Sequence, residues 1–406
     1  MKTIWIINEY AGSIYHGMEY RHYYIGKELV KRGYKVYIIS ASHSHVFIKQ
    51  PNVKESFKSE NIDGINYLWV KVPKYNHSHD KKRVLKWFIF TLKTYFSLPI
   101  NLLKKPDIII VSPMATFPIV SGYKWAKKFN AKLIYEVKDI WPLTLVELGG
   151  YSLNHPFIKL MEFFEKFAYK KADKVVSVLT YAYKHMEKQG LDIDKFVYIP
   201  NGICLEDYKE IENAPKEVLD RFPKNKFVVI YAGTFGKANA LEYLIKAADI
   251  LKEYKDIHFV LVGKGMEEEN LKSLVRKLNS KNITFLPPVS KKQIQDLLKR
   301  SDVCYIGLKN ETIFKYGVSP NKLFDYMYSE KPILYAINSG NNIIKDANCG
   351  ISVEAENPKS IAEGVLKLYK MSNTEREILG RNGKKHLLKY HTYKVITDKF
   401  EEIFND

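Results

Sequence analysis

The sequence is poor in the features that would staple the chain with disulfides or anchor it in a membrane. Its 406 residues contain three cysteines, Cys204, Cys304 and Cys349, and these have no paired spacing. Neither a disulfide framework nor a cysteine zinc site is therefore indicated. No apolar run reaches the roughly 18 residues of a membrane span. The apolar start at residues 4–7 is too short for a signal peptide, because Glu9 follows at once. The sequence predicts a cytoplasmic protein.

Acidic residues are also scarce. The chain has 45 Asp and Glu against 64 Lys and Arg, which gives a formal net charge of +19. Phosphorylated substrates, an anionic membrane surface and nucleic acid would all suit this balance, although many lysines can simply be solvated surface. Because no helix-turn-helix, zinc-finger or aromatic-basic strand motif is visible, we expect no nucleic-acid partner.

Short, continuous apolar runs alternate with helix-length segments along the chain. This pattern is typical of strands buried on both faces of parallel sheets, with helices as crossovers. It predicts an α/β protein with two tandem Rossmann-like, doubly wound domains. The predicted strands are residues 4–7, 35–40, 108–112, 132–137, 175–179, 228–232, 258–262, 303–306 and 332–335. Among the predicted helices are residues 20–32, 156–171, 241–255 and 294–299.

The alternation stops near residue 200 and restarts near residue 227. We therefore predict a first domain at residues 1–207 and a second at residues 208–387. The helical segment 388–406 is expected to return to the first domain. Ligands of such sheets bind outside the carboxyl ends of the strands, so two facing sheets would form a cleft.

Residues 317–327 form the most informative stretch. It combines a turn rich in backbone donors, a lysine and a carboxylate within about three helical turns. Backbone amides and a helix start can hold a diphosphate, an ammonium can neutralise it, and a carboxylate can accept from ribose hydroxyls. The alternative is an ordinary capped helix entry. The residues that would act in this way are Val318, Ser319, Pro320, Asn321, Lys322 and Asp325.

Two glycine loops follow predicted strands of the second domain. The first contains Gly233, Thr234 and Lys237, and the second contains Gly263 and Gly265. Glycine lets a backbone approach a phosphate closely, but ordinary strand-to-helix turns explain both loops equally well. Neither loop is a dinucleotide fingerprint or a P-loop, so a nicotinamide enzyme or a nucleotide triphosphatase is poorly supported.

Polar residues also mark the predicted binding edge of the first domain. Lys138 and Asp139 follow a strand, where an ion pair is the alternative interpretation. Glu19, Arg21 and His22 open the first helix and are acceptor-side candidates, although they could equally be charges at a helix terminus.

Residues 81–105 are both basic and aromatic. Lys82, Lys86 and Lys93 share one helical face, and Trp87 and Phe88 belong to the apolar remainder. Such a helix suits the headgroup region of an anionic membrane, and the alternative is a helix that covers the first sheet. These five residues are the membrane-contact candidates. We expect a peripheral protein on the inner face of the cell membrane.

Taken together, these motifs resemble glycosyltransferase family 4, which has the GT-B fold. The likeness spans nearly the whole chain and is nearest to bacterial enzymes that build O-antigen, capsule and related surface polysaccharides. The segments that carry it are Pro200-Asn201-Gly202, Gly233-Thr234-Phe235-Gly236, Pro320-Asn321-Lys322-Leu323-Phe324-Asp325-Tyr326-Met327 and Glu330-Lys331-Pro332.

The resemblance implies a retaining, metal-independent transfer from a UDP-sugar, without a cofactor. The sugar would be an N-acetylated hexosamine, and the acceptor a saccharide or a sugar on a polyprenyl diphosphate. It also implies roles for individual residues. Asp325 would hold the ribose, Lys322 the diphosphate, Val318 and Ser319 phosphate and sugar, and Gly233, Thr234 and Lys237 the phosphates. Pro288 and Val289 would frame the base, and Gly12, Lys138 and Asp139 would approach the reacting centre.

The chain departs from the family pattern at several positions. Gly317 stands where the family has the first glutamate of its Glu-x7-Glu motif. Thr234 and Asn239 replace the usual arginine and lysine of the phosphate loop, and Lys138 replaces a histidine. Two alternatives therefore stay open: a UDP-N-acetylglucosamine 2-epimerase of the same architecture, and a non-catalytic UDP-binding partner subunit.

Overall fold

The chain folds into two compact units. The computed structural model describes residues 1–17, 20–76 and 80–406. Unit 1 comprises Met1–Asn201 and Tyr393–Asp406, and unit 2 comprises Gly202–Thr392. The sequence placed the first boundary at residue 207 and the return at residue 388, a few residues from the positions in the structure.

Strands and helices alternate through both units. The strands are β1 (Thr3–Ile7), β2 (Lys35–Ala41), β3 (Phe57–Ile62), β4 (Ile65–Val70), β5 (Ile108–Val111), β6 (Lys132–Val137), β7 (Lys174–Ser177), β8 (Phe196–Tyr198), β9 (Phe227–Ala232), β10 (Ile257–Val262), β11 (Ile283–Leu286), β12 (Val303–Gly307), β13 (Ile333–Ala336) and β14 (Gly350–Ser352). The α-helices are α1 (Arg21–Lys31), α2 (Lys81–Phe96), α3 (Ile119–Phe129), α4 (Leu143–Glu147), α5 (Pro156–Lys171), α6 (Tyr183–Met186), α7 (Lys216–Leu219), α8 (Leu241–Ile250), α9 (Glu268–Leu278), α10 (Lys291–Arg300), α11 (Asn321–Tyr328), α12 (Ile343–Ala347), α13 (Pro358–Lys370), α14 (Asn373–Tyr390) and α15 (Tyr393–Asn405).

Unit 1 is built on a sheet with the strand order β3-β4-β2-β1-β5-β6-β7-β8. Its neighbouring strands are parallel except for β3, which pairs antiparallel with β4. All five residues of β1 are buried, as expected for a central parallel strand covered by helices. The chain builds outward from β1 first through β2 and later through β5, so the sheet reverses its direction of growth between β1 and β5. A ligand crevice is expected at that point.

Unit 2 is built on a fully parallel sheet with the order β11-β10-β9-β12-β13-β14. The central strand β9, with sequence FVVIYA, is buried along its whole length. Alternate residues of β9 belong to two different core clusters: Val228 and Ile230 to one, Val229 and Tyr231 to the other. The sheet therefore has a hydrophobic core on each face, and its polar loops are left at the strand ends.

The structure contains strands that the sequence analysis did not predict, namely β3, β4, β8, β11 and β14. β3 has the sequence FKSENI and lies at a sheet edge, so no apolar run marks it. It is joined to β4 by Asp63 and Gly64, which both have positive φ, as a tight hairpin turn requires. β8 and β14 are three-residue edge strands with no fully buried position.

The predicted C-terminal helix is also divided. α14 ends at Tyr390 and α15 begins at Tyr393, and the chain passes from unit 2 to unit 1 between Thr392 and Tyr393. In unit 1, α15 packs against α1, where Tyr24 stacks on Tyr393 with ring centroids 4.9 Å apart. The returning helix is thus part of the core of unit 1.

Glu136, on β6, is the centre of a buried ionic network in unit 1. Its carboxylate accepts from Arg21 Nε at 3.0 Å and from His22 Nε2 at 2.7 Å. Asn8 donates to His22 Nδ1 at 3.0 Å, so the imidazole is neutral and carries its proton on Nε2. Burial would raise the pKa of Glu136, but Arg21 and His22 hold it well below its usual range.

Arg21 also contacts the two segments of unit 1 that lie next to the points where the chain crosses between the units. Arg21 Nη1 donates to the carbonyl of Pro200 at 2.7 Å, and Nη2 donates to that of Ile199 at 3.1 Å. Its guanidinium also lies 5.9 Å from the ring of Phe400 on the returning α15. Arg21 and His22 are 5% and 1% exposed. The structure therefore places these two acceptor-side candidates in a buried structural network and not at a surface that receives an acceptor.

We predict that Arg21→Ala lowers the free energy of unfolding of unit 1 by about 3–5 kcal/mol, because Glu136 would stay buried without its cation. The matched control is Arg32→Ala at the end of α1. Arg32 pairs with Asp398 and Glu401 at the surface and should contribute about 0–1 kcal/mol. Denaturant titration followed by tryptophan fluorescence is selective, since all five tryptophans lie in unit 1. Equal losses in the two variants would contradict the prediction.

Candidate functional site

Unit 2 contains a cavity of about 420 Å³ at the carboxyl ends of β9, β10 and β11. This is the edge at which parallel sheets bind ligands. The residues that line it come from the two glycine loops, the start of α10 and the first turns of α11. They are Ala232, Gly233, Thr234, Val262, Gly263, Lys264, Pro288, Val289, Ser290, Lys291, Ile294, Leu298, Lys322, Asp325 and Tyr326.

The cavity brings together many residues that the sequence predicted to bind a donor. Of those candidates, the lining includes Gly233, Thr234, Gly263, Pro288, Val289, Lys322 and Asp325. The candidates that lie outside the lining are Lys237, Gly265, Val318, Ser319, Pro320 and Asn321 in unit 2, and Gly12 in unit 1. Lys237 is exposed and opens a short turn beyond the loop.

Lys322 is held in the cavity by neutral groups. Its ammonium donates to Asn239 Oδ1 at 2.7 Å and to the hydroxyl of Tyr231 at 2.9 Å. It also lies 4.5 Å from the centre of the Tyr231 ring. Burial without a carboxylate partner lowers the pKa of Lys322 to about 8. An ammonium in this state is poised to accept an anionic ligand, which would supply the missing counter-charge.

Two small networks fix the position of this ammonium. Asn239 donates from Nδ2 to the carbonyl of Thr234 at 3.0 Å, and Tyr231 donates to the same carbonyl at 2.7 Å. Both partners of Lys322 are therefore tied to the glycine loop. A side chain at Gly233, whose φ is +155°, would put its Cβ only 3.1 Å from the Lys322 ammonium.

The glycines of the second loop serve packing between loops. A Cβ at Gly263 would lie 1.9 Å from the carbonyl oxygen of Gly233, and a Cβ at Gly265 would lie 2.3 Å from that of Phe235. The backbones are joined by the hydrogen bond from Phe235 to the carbonyl of Lys264 at 2.9 Å. We conclude that Gly263 and Gly265 let the two loops touch, whereas Gly233 makes room for Lys322.

Asp325 lies one helical turn beyond Lys322 on α11. Its Oδ1 accepts a hydrogen bond from the hydroxyl of Tyr208, and Lys291 attracts it electrostatically. Burial raises the pKa of Asp325 despite these partners. The cavity thus offers an ammonium at one side and a carboxylate at the other, a combination that can hold a phosphate and a hydroxyl of the same ligand.

The turn before α11 has a backbone that requires glycine at position 317. Gly317 has φ +107° and ψ +164°, a region that is essentially closed to other residues. Just beyond it, Asn341 holds Val318 by accepting from its amide at 2.9 Å and donating to its carbonyl at 3.0 Å. The backbone conformation at position 317 therefore does not accommodate the glutamate that the family has there.

The sequence analysis missed several residues of the cavity and its support. Tyr231 and Tyr208 were not among its candidates, and it treated Asn239 only as the replacement of the family lysine. Ser290 and Lys291 begin α10, where Ser290 forms a capping box with Gln293. The pattern Ser-x-x-Gln before a helix was a readable signal for that helix start, and hence for the side chains at its first turn.

The candidates of unit 1 lie at the carboxyl edge of its own sheet. Gly12 follows β1, and its carbonyl accepts from the hydroxyl of Tyr67 at 2.8 Å. Lys138 and Asp139 follow β6, and Lys138 is near enough to act electrostatically on Glu9 and His22. Glu19 lies outside the described residues.

The expectation that Lys86 and Trp87 contact a membrane is wrong. Both residues of α2 are buried, at 0% and 3% exposure. Trp87 belongs to a core cluster against which Phe88 packs, and Phe88 stacks on Phe117 with ring centroids 4.7 Å apart. Helical spacing correctly placed the three lysines on one face of α2. It could not show which of them faces the protein core. Lys82 remains exposed, and Lys93 is half-buried.

Two further features of the described residues concern metal ions and lipid bilayers. Within residues 1–17, 20–76 and 80–406, no three or more His, Cys, Asp or Glu side chains are grouped in a way that could hold a metal ion. No helix in that same part of the chain is long and apolar enough to cross a lipid bilayer.

Comparisons with known proteins agree with this architecture. The sequence model of glycosyl transferases group 1 matches residues 216–386, and that of glycosyltransferase family 4 matches residues 15–207. The chain is 24% identical over 306 residues to WcaI of Escherichia coli K12, a glycosyl transferase named for colanic acid biosynthesis, with 73% of each chain covered.

Two solved structures show the same fold at low identity. Sucrose-phosphate synthase from Thermosynechococcus elongatus is 15% identical, with a TM-score of 0.74 over 100% of this chain and 98% of that chain. HepE from Anabaena, solved in complex with UDP and glucose, is 12% identical, with a TM-score of 0.65 over 100% of both chains. With two family models that together match most of the chain, the protein belongs to glycosyltransferase family 4 and is a glycosyltransferase with the GT-B fold.

Proposed function

We propose that the protein is a retaining, metal-independent transferase that moves an N-acetylated hexosamine from a UDP-sugar to a lipid-linked or saccharide acceptor in surface polysaccharide synthesis. The observation that carries the donor assignment is the unit 2 cavity, where Lys322 and Asp325 present opposite charges. HepE was solved with UDP and glucose, and WcaI is named for a surface polysaccharide, which supports the donor and the pathway.

In this proposal the donor is held by complementary chemistry along the cavity. Lys322 meets the diphosphate, and its neutral partners leave its charge available. Asp325, beside Lys291, accepts from the ribose hydroxyls. Pro288 and Val289 form the apolar wall on which the uracil ring packs.

Catalysis follows from the charge that develops on UDP. As the bond between sugar and phosphate lengthens, negative charge grows on the leaving diphosphate and positive charge on the sugar. Lys322 is already in place when that charge appears. A preorganised donor of this kind is worth about 3–4 kcal/mol of transition-state stabilisation. The acceptor hydroxyl then attacks from the face that UDP leaves, which retains the configuration, and no metal ion is needed for the charge.

The acceptor in this proposal is a sugar on a polyprenyl diphosphate, presented at the inner face of the cell membrane to a cytoplasmic, peripheral enzyme. Gly12, Lys138 and Asp139 lie at the carboxyl edge of the unit 1 sheet and are the residues assigned to its reacting end. Asp139 is exposed and Lys138 half-buried, so both are accessible to a ligand of unit 1.

Replacing Lys322 with alanine is expected to reduce the rate of sugar transfer from a UDP-sugar by about 100-fold or more, with little change in thermal stability. The control is Lys345→Ala, an exposed lysine on α12 outside the cavity. Transfer is measured with a panel of UDP-sugars, with and without EDTA. A full rate in the Lys322 variant would refute its role, and loss of activity with EDTA would refute metal independence.

The affinity for UDP should depend on pH through Lys322. Because its pKa is lowered to about 8, the ammonium is present below that pH and is lost as the pH rises through it. UDP binding should therefore weaken above about pH 8, by up to about tenfold per pH unit for one proton. Calorimetric titration between about pH 6.5 and about pH 9.5 measures the effect.

Asn239→Asp provides the internal test of that assignment. A carboxylate where Asn239 Oδ1 lies 2.7 Å from the ammonium favours the charged lysine and raises its pKa. The fall in UDP affinity should move to higher pH, while the added negative charge weakens binding at every pH. If the variant kept the wild-type profile, a group other than Lys322 would control the titration.

The exposed apolar surface of α2 supports the proposal that the enzyme binds the membrane. Leu85, Leu92 and Phe96 are 49%, 53% and 70% exposed, and their spacing of seven and then four residues places them in one stripe. Lys82 and Lys93 lie along one side of that stripe on the helix. Exposed apolar side chains beside lysines are suited to the headgroup region of an anionic bilayer.

We expect Leu92→Ser with Phe96→Ser, and separately Lys82→Glu with Lys93→Glu, each to reduce flotation with phosphatidylglycerol vesicles by about tenfold. Only the charge variant should lose its effect at high salt, because salt screens the lysines and not the apolar stripe. Ile378→Ser, an exposed apolar residue on α14 of unit 2, is the control. Unchanged flotation in both double variants would dismiss this surface.

A further inference from the structure

We propose that unit 1 contains a separate binding site for a phosphate group, formed by His43, His45, Arg83 and Lys86 around the rings of Tyr10 and Tyr75. We call these four nitrogen-bearing side chains the base cluster. The donor cavity lies wholly in unit 2, so this is a second anion site.

The base cluster is defined by its contacts with the two tyrosines. Lys86 Nζ lies 3.6 Å from the centre of the Tyr10 ring and 5.7 Å from that of Tyr75. Arg83 donates from Nε to the Tyr10 hydroxyl at 2.9 Å. His45 Nδ1 lies 2.9 Å from the Tyr75 hydroxyl, and His43 Nε2 lies 2.7 Å from the Tyr75 carbonyl. Four basic side chains are thus concentrated around one pair of rings.

Two atoms of the cluster lack the partners that burial demands. Among the described residues, the Lys86 ammonium and the Nδ1 of His43 make no hydrogen bond. Lys86 is fully buried, and a buried ammonium without an acceptor is costly, even beside an aromatic ring. His43 donates from Nε2 to the Tyr75 carbonyl, which leaves Nδ1 as its unpaired ring nitrogen among the described residues.

The nearby carboxylate of Glu9 does not complete the site. Glu9 Oε1 accepts from the backbone amides of Met114 at 3.1 Å and Ala115 at 3.2 Å, and Oε2 makes no hydrogen bond within the described part of the chain. Glu9 attracts Lys86 electrostatically but does not bond to it, and burial raises its pKa towards the neutral form. The carboxylate therefore holds the loop after β5 and leaves the Lys86 ammonium without a hydrogen-bond acceptor.

The electrostatics of the cluster show that its basic groups disfavour one another's protonation. Burial, together with Arg83, Lys86 and His43, lowers the pKa of His45 to about 4. Burial and Arg83 lower the pKa of Lys86, and only Glu9 opposes them. A phosphate group would oppose both shifts, because its negative charges and acceptor oxygens favour the protonated forms of Lys86 and His45.

The position in the fold also fits a ligand. Glu9 and Tyr10 follow β1, and Met114 and Ala115 follow β5, the two strands between which the sheet reverses its direction of growth. Ligands of doubly wound sheets bind at this point. His43, His45 and Arg83 are half-buried, so they are partly exposed to solvent, whereas Lys86 is buried.

The chemistry of the ligand is a phosphate monoester or diphosphate, and it could come from a phosphorylated acceptor or from free phosphate. The identification as acceptor rests on the proposed function, whereas the anion site itself does not. A sugar linked to a prenyl diphosphate would then be held in unit 1 by the diphosphate, and the hydroxyl of the sugar would be free to react.

The test uses the full chain with saturating UDP, so that the donor cavity is occupied. Calorimetric titration with geranyl diphosphate should show binding that Lys86→Met weakens by about tenfold or more. Methionine keeps the length of the side chain and removes a buried charge, so the fold should be maintained. Arg83→Gln should also weaken binding, and it keeps the test open if the first variant does not fold. Lys81→Met, an exposed lysine of α2, is the matched control and should bind as the wild type does.

A comparison of two ligands distinguishes a phosphorylated acceptor from free phosphate as the natural source of the phosphate group. Binding of geranyl diphosphate but not of inorganic pyrophosphate supports an acceptor ester, and equal binding of both supports a site for free phosphate. Binding that disappears with saturating UDP, or that survives unchanged in both variants, would overturn the site. UDP titration of the same variants is the independent check, because the proposed function fails if UDP does not bind even to the wild type.

Discussion

The buried carboxylate of Glu136 is the interaction on which the organisation of unit 1 depends. A charge removed from water must be paired or neutralised, and here Arg21 and His22 meet both oxygens. Arg21 then has nitrogen donors left for the carbonyls of Ile199 and Pro200. One electrostatic requirement on β6 thereby fixes the first helix and the last residues before the chain enters unit 2.

Arg21 and Lys86 are buried and Lys322 is half-buried, and these three cations differ in their partners. The differences separate structure from function. Arg21 is paired with the carboxylate of Glu136, and this ion pair stabilises the fold. Lys322 has only a tyrosine hydroxyl and an amide oxygen, and the Lys86 ammonium has no hydrogen bond at all. Because a desolvated ammonium that no carboxylate hydrogen-bonds is unfavourable, ligands that bring negative charge would stabilise the latter two positions.

How far the sequence could predict this structure depended on how locally each feature is encoded. β1, β6 and β9 were found because both faces of a central parallel strand are buried, so its apolar run is continuous. β3 was missed because an edge strand needs no apolar face, although Asp63-Gly64 was a readable hairpin signal. Lys86 was misplaced because helical spacing groups side chains but does not orient the helix. Lys322 and Asp325 could be placed because they share one short helix that begins at the sheet edge.

The departures from the family pattern at Thr234, Asn239 and Gly317 all change the charge around Lys322. With an arginine and a lysine in the phosphate loop, the Lys322 ammonium would face like charges, and those charges would push its pKa still lower. Asn239 instead offers a neutral acceptor at 2.7 Å and ties it to the loop through the carbonyl of Thr234. The backbone of Gly317 excludes a glutamate from the turn before α11, so no carboxylate at that position can neutralise Lys322 either. Compared with the family pattern, the phosphate loop therefore lacks two cations and the turn before α11 lacks an anion, and Lys322 remains to meet the charge of the ligand.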